Sequence, residues 1–160
     1  MTMTSSEKPP IEVTTWDYRR LSGVVEAFQL RGSPLADFLA EELDRSELVE
    51  PSAVSPSVVT MHSCVTFADH DSDQVRTMTL VYPGEEDSRQ NKLSIVTPVG
   101  SALLGLRTGA SMTFRTQNGR TKRLSVIEVR NQPEAVGLDG AGAGDERKTR
   151  LIEALETAVK

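Results

Sequence analysis

Hydrophobic positions in the first third of the chain recur at helical spacing, and beyond residue 57 they alternate. From Thr15 to Gln29, Trp16, Leu21, Val24, Val25 and Phe28 keep a period of about 3.6 residues, which predicts a helix. Thr14 or Thr15 can hold the free N–H groups of its first turn, and Asp17 suits the positive end of the helix dipole. Leu30-Arg31-Gly32-Ser33 interrupts the pattern. Ser33-Pro34 then reads as an N-cap followed by proline at the first helical position, opening a second helix to about Leu48. Leu35, Phe38, Leu39 and Leu43 share one face of it, and Asp37, Glu41 and Asp44 share the other. Two helices of about 15 residues, each roughly 22 Å long and joined by a short loop, predict an antiparallel helical hairpin (coiled coil) over residues 14–50.

Residues 1–13 are polar with a Pro pair and are expected to be disordered. Residues 51–57 (PSAVSPS) read as a linker. In Val58–Phe67 the residues Val59, Met61, Ser63, Val65 and Phe67 share one face, which suits a strand. Val75–Tyr82 is a second strand, after the polar turn 68–73, and Leu93–Val96 is a short third. Pro98–Gly105 reads as a short helix with proline at its start and glycine past its end. Met112–Thr116 and Lys122–Arg130 form an antiparallel pair across Gln117-Asn118-Gly119, an Asn-Gly hairpin signal. The fold class is α+β: a helical hairpin, a mostly antiparallel β-domain over 58–136 with one short helix, a Gly/Ala linker at 137–144, and a C-terminal helix at 145–160. That last helix carries Leu151, Ile152, Leu155 and Val159 on one stripe, and is expected to dock on the sheet or to self-associate.

Composition narrows the function. The 160 residues carry a net charge of −5, so general coating of nucleic acid, which needs many cations against phosphates, is disfavoured. Any DNA or RNA contact is expected to be indirect. Residues 1–56 hold ten acids and five bases, while the other segments nearly cancel, so the acidity belongs to the hairpin region. Four Phe, two Tyr and one Trp are too few for a base-stacking platform or an aromatic ligand pocket. One cysteine forms no intramolecular disulfide and points to a reducing compartment. The first ten residues lack the cationic start and apolar run of a secretory peptide, and no segment has the ~20 apolar residues of a membrane span. A cytoplasmic protein without membrane contact is expected. Cys64, His62 and His70 have neither ligand spacing nor a nucleophile signature, so no metal, cofactor or catalytic residue is expected.

Val58-Val59-Thr60-Met61-His62-Ser63, Thr79-Leu80-Val81-Tyr82-Pro83, the run from Pro98 to Leu106 and the closing Gln132-Pro133-Glu134-Ala135 resemble the C-terminal domain of the Gre transcript-cleavage factors. The resemblance is nearer still to the shorter Rnk-type proteins, regulators of nucleoside diphosphate kinase, whose second helix Leu35-Ala36-Asp37 and Glu42-Leu43-Asp44-Arg45 also resemble. It covers residues 15–136 and rests most on the Pro-x-Gly-x-Ala-Leu-Leu-Gly run. It implies an FKBP-like β-domain that docks on RNA polymerase at the rim of the secondary channel, carrying a coiled-coil arm. In Gre factors acidic tip residues help to hold a magnesium ion. Here the hairpin is far shorter, and its tip, Gln29 to Ser33, has no carboxylate, whereas a hard cation needs converging oxygen ligands. The cleavage residues are therefore not carried over. The implied function is binding to polymerase without stimulating cleavage, in competition with Gre-like factors.

Within that reading Pro98, Val99, Gly100, Leu103 and Leu104 are the docking candidates, the two leucines being either surface contacts or core. Asp37, Glu41 and Asp44 either touch a basic polymerase surface or form a solvated helix face. Arg115, Arg120, Lys122 and Arg123 around the Asn-Gly turn either meet an acidic or nucleic-acid surface or keep a sheet edge soluble. Two other classes of function stay open: regulation of a metabolic enzyme such as nucleoside diphosphate kinase, and peptidyl-prolyl isomerisation. Phe67, Tyr82 and Phe114 are too few to line the aromatic pocket of an isomerase.

Overall fold

A computed structural model of the chain describes residues 8–116 and 118–136. The expected C-terminal linker and helix lie outside the described residues. Strand β1 (Glu12–Thr14) leads directly into α1 (Thr15–Leu30), whose N-cap is Thr14: its Oγ1 accepts the Asp17 N–H at 3.0 Å. At the tip, Ser33 Oγ accepts the Leu35 N–H and Pro34 starts a single 3₁₀ turn, Pro34–Ala36, before α2 (Asp37–Arg45). That extra turn shifts the phase of the second helix. Ala36, Leu39 and Leu43 are buried, while Leu35, expected on the inner face, is 42% exposed.

After α2 the chain turns into β2 (Glu47–Val49), which pairs in parallel with β1. The expectation of disorder up to Val13 is thus corrected for residues 8–13. Ile11 and Val13 are core residues, at 2% and 1% exposure, because β2 and the Gly105 backbone give the segment partners that a local pattern does not reveal. The expected linker at 51–57 is also packed. Pro51 and Val54 are buried, and the Gln132 side-chain amide donates to the carbonyls of Ser55 and Val58 at 2.7 Å each.

The main sheet runs β5-β4-β3-β7-β6, from β3 (Cys64–Asp69), β4 (Gln74–Val81), β5 (Lys92–Ser94), β6 (Ser111–Arg115) and β7 (Thr121–Arg130). All its pairs are antiparallel except β4 with β5. The strand expected from Val58 starts only at Cys64. Its first half instead forms a turn in which Ser63 N–H bonds to Thr60 O and His62 takes a left-handed conformation at φ +67°. One face of the sheet, with Val65, Phe67, Leu80, Met112, Phe114 and Leu124, packs against α1, α2 and the short helix α3 (Pro98–Leu103) in one continuous core.

The segment from Thr97 to Leu106 runs into that core, with Ala102, Leu103, Leu104 and Leu106 buried. Thr97 Oγ1 caps α3 by accepting the Gly100 N–H at 3.0 Å, and Ser101 Oγ donates to Ile95 O at 2.7 Å. A Cβ at Gly100 would stand 2.3 Å from Ser94 O, so only glycine lets α3 lie this close to β5. Gly105 has φ +82°, and a Cβ there would stand 2.7 Å from Ile11 Cβ. A buried ion pair fastens the other side. Glu42, fully buried, takes two hydrogen bonds from Arg45, whose Nη1 also donates to Pro9 O at 2.7 Å. Gly105→Ala is expected to lose about 2–4 kcal/mol, adding backbone strain to overpacking. Urea unfolding measures this, and a loss below about 1 kcal/mol would contradict the close approach.

Candidate docking surface

Two depressions meet at Pro98, the first residue of α3. The larger is an open polar cleft of about 590 Å³. Asp71 and Ser72 from the β3–β4 turn, and Thr116, Asn118, Arg120 and Lys122 from the β6–β7 turn, line it. The smaller, about 160 Å³, is an apolar trough between the arm and the sheet. Pro34, Leu35 and Phe38 form its arm side, Val96 and Pro98 its floor, and Asp37 and Arg115 its polar rim. Phe38 stacks on Phe114 with ring centroids 5.7 Å apart, which holds the trough wall in place. A space this size suits one apolar side chain rather than a cofactor-sized ligand. Asp37, Pro98, Arg115, Arg120 and Lys122, singled out on separate grounds in the sequence, therefore share one end of the molecule.

The remaining candidates separate. Leu103, the last residue of α3, and Leu104, its C-cap, are core, at 0% and 1% exposure. They are corrected from surface contacts to packing residues. Gly100 is likewise buried by its approach to β5, while Pro98 and Val99 stay half-buried at the surface. Asp37, Glu41 and Asp44 are all exposed on α2, whereas Glu42 beside them is buried, which no local pattern signals. Three of the four basic residues divide between the two faces of the sheet. Lys122 stands opposite Phe114, whereas Arg123 and Arg115 stand opposite Thr113 and Thr121 on the other face, and Arg120 lies in the turn. His62, Cys64 and His70 are not brought together. His62 Nε2 lies 3.0 Å from Glu85 Oε1, and His70 Nε2 lies 2.7 Å from Ser125 Oγ. Among the described residues no group of three or more His, Cys, Asp or Glu could hold a metal ion, and no helix is long and apolar enough to cross a membrane.

Lys122 is not free to meet a partner as a bare cation. Its Nζ donates to Asp69 Oδ2 at 3.1 Å, and Asp69 Oδ1 caps the β3–β4 turn through the N–H groups of Asp71 and Ser72. Burial pushes the Asp69 carboxyl up, but Lys122 and those two N–H groups outweigh it and hold its pKa below the ordinary 3.8. Arg115 and Arg120 make no ion pair among the described residues, so they are the cations this end presents.

A residue outside every sequence candidate also stands out. Asp17, expected only to suit the positive end of the helix dipole, is 9% exposed, and its Oδ2 accepts the Met61 N–H at 3.1 Å. Only its place one turn after a capping threonine was legible.

Comparison with known proteins gives a consistent picture. The model described as Rnk N-terminus matches residues 9–49, and the one described as transcription elongation factor GreA/GreB, C-terminal, matches residues 54–131. The chain is 39% identical over 130 residues to the regulator of nucleoside diphosphate kinase of Escherichia coli, covering 81% of this chain and 96% of that protein. It is 30% identical over 92 residues to transcription elongation factor GreA of Azorhizobium caulinodans, 58% of each protein. Among solved structures, the GreA/GreB transcription elongation factor of Nitrosomonas europaea superposes with a TM-score of 0.60 at 39% identity, over 78% of this chain and all of that one.

Lys122→Ala is expected to lower the unfolding free energy at neutral pH by about 1 kcal/mol, since the pair is partly screened. A carboxyl whose folded pKa is depressed contributes stability above its ordinary value and loses it as pH falls through the folded value. The deficit should therefore vanish in strong acid. Urea unfolding at neutral and acid pH decides, and a deficit independent of pH would contradict the pairing.

Proposed function

The chain belongs to the Rnk and GreA/GreB family of transcription elongation factors, and on that footing we propose that it is a non-catalytic regulator that binds RNA polymerase near the secondary channel. The observation that carries this reading is the meeting of the apolar trough and the polar cleft at Pro98, inside the run that most resembles the Gre docking domain. Pro98 and Val99 supply the apolar contact, Arg115 and Arg120 the charge. Asp37, at the trough rim, with Glu41 and Asp44 faces a basic patch of the same partner. We read the sheet as FKBP-like and the two helices as a short antiparallel hairpin whose tip leans over the channel entrance.

The tip is why cleavage is left out. Gln29 to Ser33 carries no carboxylate, while Leu30 is 83% exposed and Arg31 lies over the Phe28 ring. An apolar, cationic tip can occupy space in a channel and cannot hold a magnesium ion. The protein then competes with Gre-like factors for the same entrance, in the cytoplasm. The buried Phe67 and Phe114 speak against an isomerase pocket, since neither ring is available to a substrate. The name of the Escherichia coli relative favours a second reading, regulation of nucleoside diphosphate kinase. Direct binding to that kinase, with no polymerase contact, would support it instead.

Affinity for core RNA polymerase tests the first reading. The Pro98→Asp variant keeps a residue accepted in the first helical turn and should fold normally. It is expected to bind at least about tenfold more weakly than the wild type, as for truncation of an interface anchor. Absence of any binding by the wild type would overturn the reading.

A further inference from the structure

The N-terminal segment of the chain runs toward the apolar trough at Pro98. Ile11 is buried against Gly105, and two residues earlier the Pro9 carbonyl accepts from Arg45 Nη1 at 2.7 Å, at the C-terminal end of α2. One residue earlier again, the Lys8 amino group lies 5.7 Å from the centroid of the Phe38 ring, in the first turn of α2. Arg45 Nη2 also lies 3.8 Å from Met112 Sδ, and Phe38 stacks on Phe114, so this path follows the flank where α2 lies on β6. Followed back from Ile11, the chain passes from the end of α2 toward its start, and Phe38 is there a wall of the trough. The flank is open to it. β6 is an edge strand, and among the described residues no strand pairs with its outer side.

Residues 1–7, which lie outside the described residues, match that destination in reach, chemistry and charge. Phe38 stands seven positions before Arg45 on α2, about 10 Å along the helix, and Met3 stands six positions before Pro9, a span of up to about 20 Å when extended. The segment MTMTSSE has two apolar side chains, Met1 and Met3, at alternate positions. The trough, about 160 Å³, holds one apolar side chain, and the unbranched thioether adapts to an irregular gap. Glu7 adjoins Lys8, and Arg115 on the trough rim makes no ion pair among the described residues.

We propose that residues 1–7 fold back along α2 and seat the Met3 side chain in the trough beside Phe38 and Pro98, so that the chain covers its own docking surface. That this surface is one for docking rests on the function proposed above, whereas the seat of Met3 does not. Met3 takes the place of an apolar side chain of the partner, and Glu7 pairs with Arg115 at the rim. The partner must displace the segment to reach Pro98. Its observed affinity is then lowered in proportion to the fraction of molecules whose trough is open. One buried side chain, set against the ordering of a few residues, makes a closure weak enough to be displaced.

NMR of the full chain labelled at its methionine methyls tests the seat with no partner present. The Met3 methyl is expected to show cross-relaxation to the Phe38 ring protons and an upfield shift from that ring. A Met3 methyl at its unstructured shift with no contact to Phe38 overturns the proposal. So does a contact seen only between differently labelled copies in a mixed sample, since the trough would then hold a second copy. Affinity for core RNA polymerase tests the cover. Met3→Asp changes no described residue and is expected to bind about three- to tenfold more tightly than the wild type. Equal affinity of the two proteins overturns the cover. If neither binds polymerase, the docking reading falls, and the methyl contact alone still decides whether Met3 sits in the trough.

Discussion

Ile11 lies against Gly105 with no room for a methyl group between them, and the joining of arm and sheet is built around that approach. At this one point the Glu12 N–H bonds to Gly105 O while the Gly105 N–H bonds to Val59 O. The N-terminal segment, the turn after α3 and the loop before β3 therefore hold one another. The second glycine of the run, Gly100, does the same between α3 and β5. The Pro-x-Gly-x-Ala-Leu-Leu-Gly pattern is thus first a packing device. Its glycines permit two close approaches, Ala102, Leu103 and Leu104 fill the core between them, and Pro98 and Val99 are left at the surface.

This changes how the arm should be pictured. A hairpin attached through a linker would swing as a lever. Here Leu21 and Val25 of α1, with Leu39 and Leu43 of α2, lie in the same core as Val65, Met112 and Phe114 of the sheet. Arg45 binds Glu42 and Pro9 O, tying α2 to the N-terminal segment. The arm is fixed along its length, and its exposed end is the short tip around Leu30. Fixing the arm also builds the trough, because Leu35 and Phe38 lie beside Val96 and Pro98 as one surface. Under the proposed function, docking surface and tip keep a set spacing, which suits a protein that occupies a channel entrance.

What the chain reveals by itself divides along the range of the interactions involved. α1, its Thr14 cap, the Ser33-Pro34 start, α3 and the β6–β7 pair all follow from neighbours within a few residues, and each was legible. The β1 segment was not, because Glu12 pairs with Glu47, thirty-five positions away, and three residues are too few to show a period. The Val58–Ser63 alternation imitates a strand, yet the segment bends through a left-handed His62. Leu35 was misplaced by one 3₁₀ turn, which changes the helical phase. Of the surface around Pro98, the members were legible one by one. Their meeting depends on sheet register, which no local pattern contains. The burial of Asp17 depends likewise on a partner distant in sequence, Met61, while Glu42 is buried against Arg45, whose guanidinium also reaches Pro9 O.

A polymerase regulator of the proposed kind binds and does not cleave. Transcript cleavage in backtracked elongation complexes, with a cleavage-competent Gre factor present and this protein added in increasing amounts, tests it most directly. Cleavage is expected to fall with dose as the Gre factor is displaced, and this protein alone is expected to produce none. Stimulated cleavage, or a Gre factor that works unhindered while this protein is bound, would contradict it.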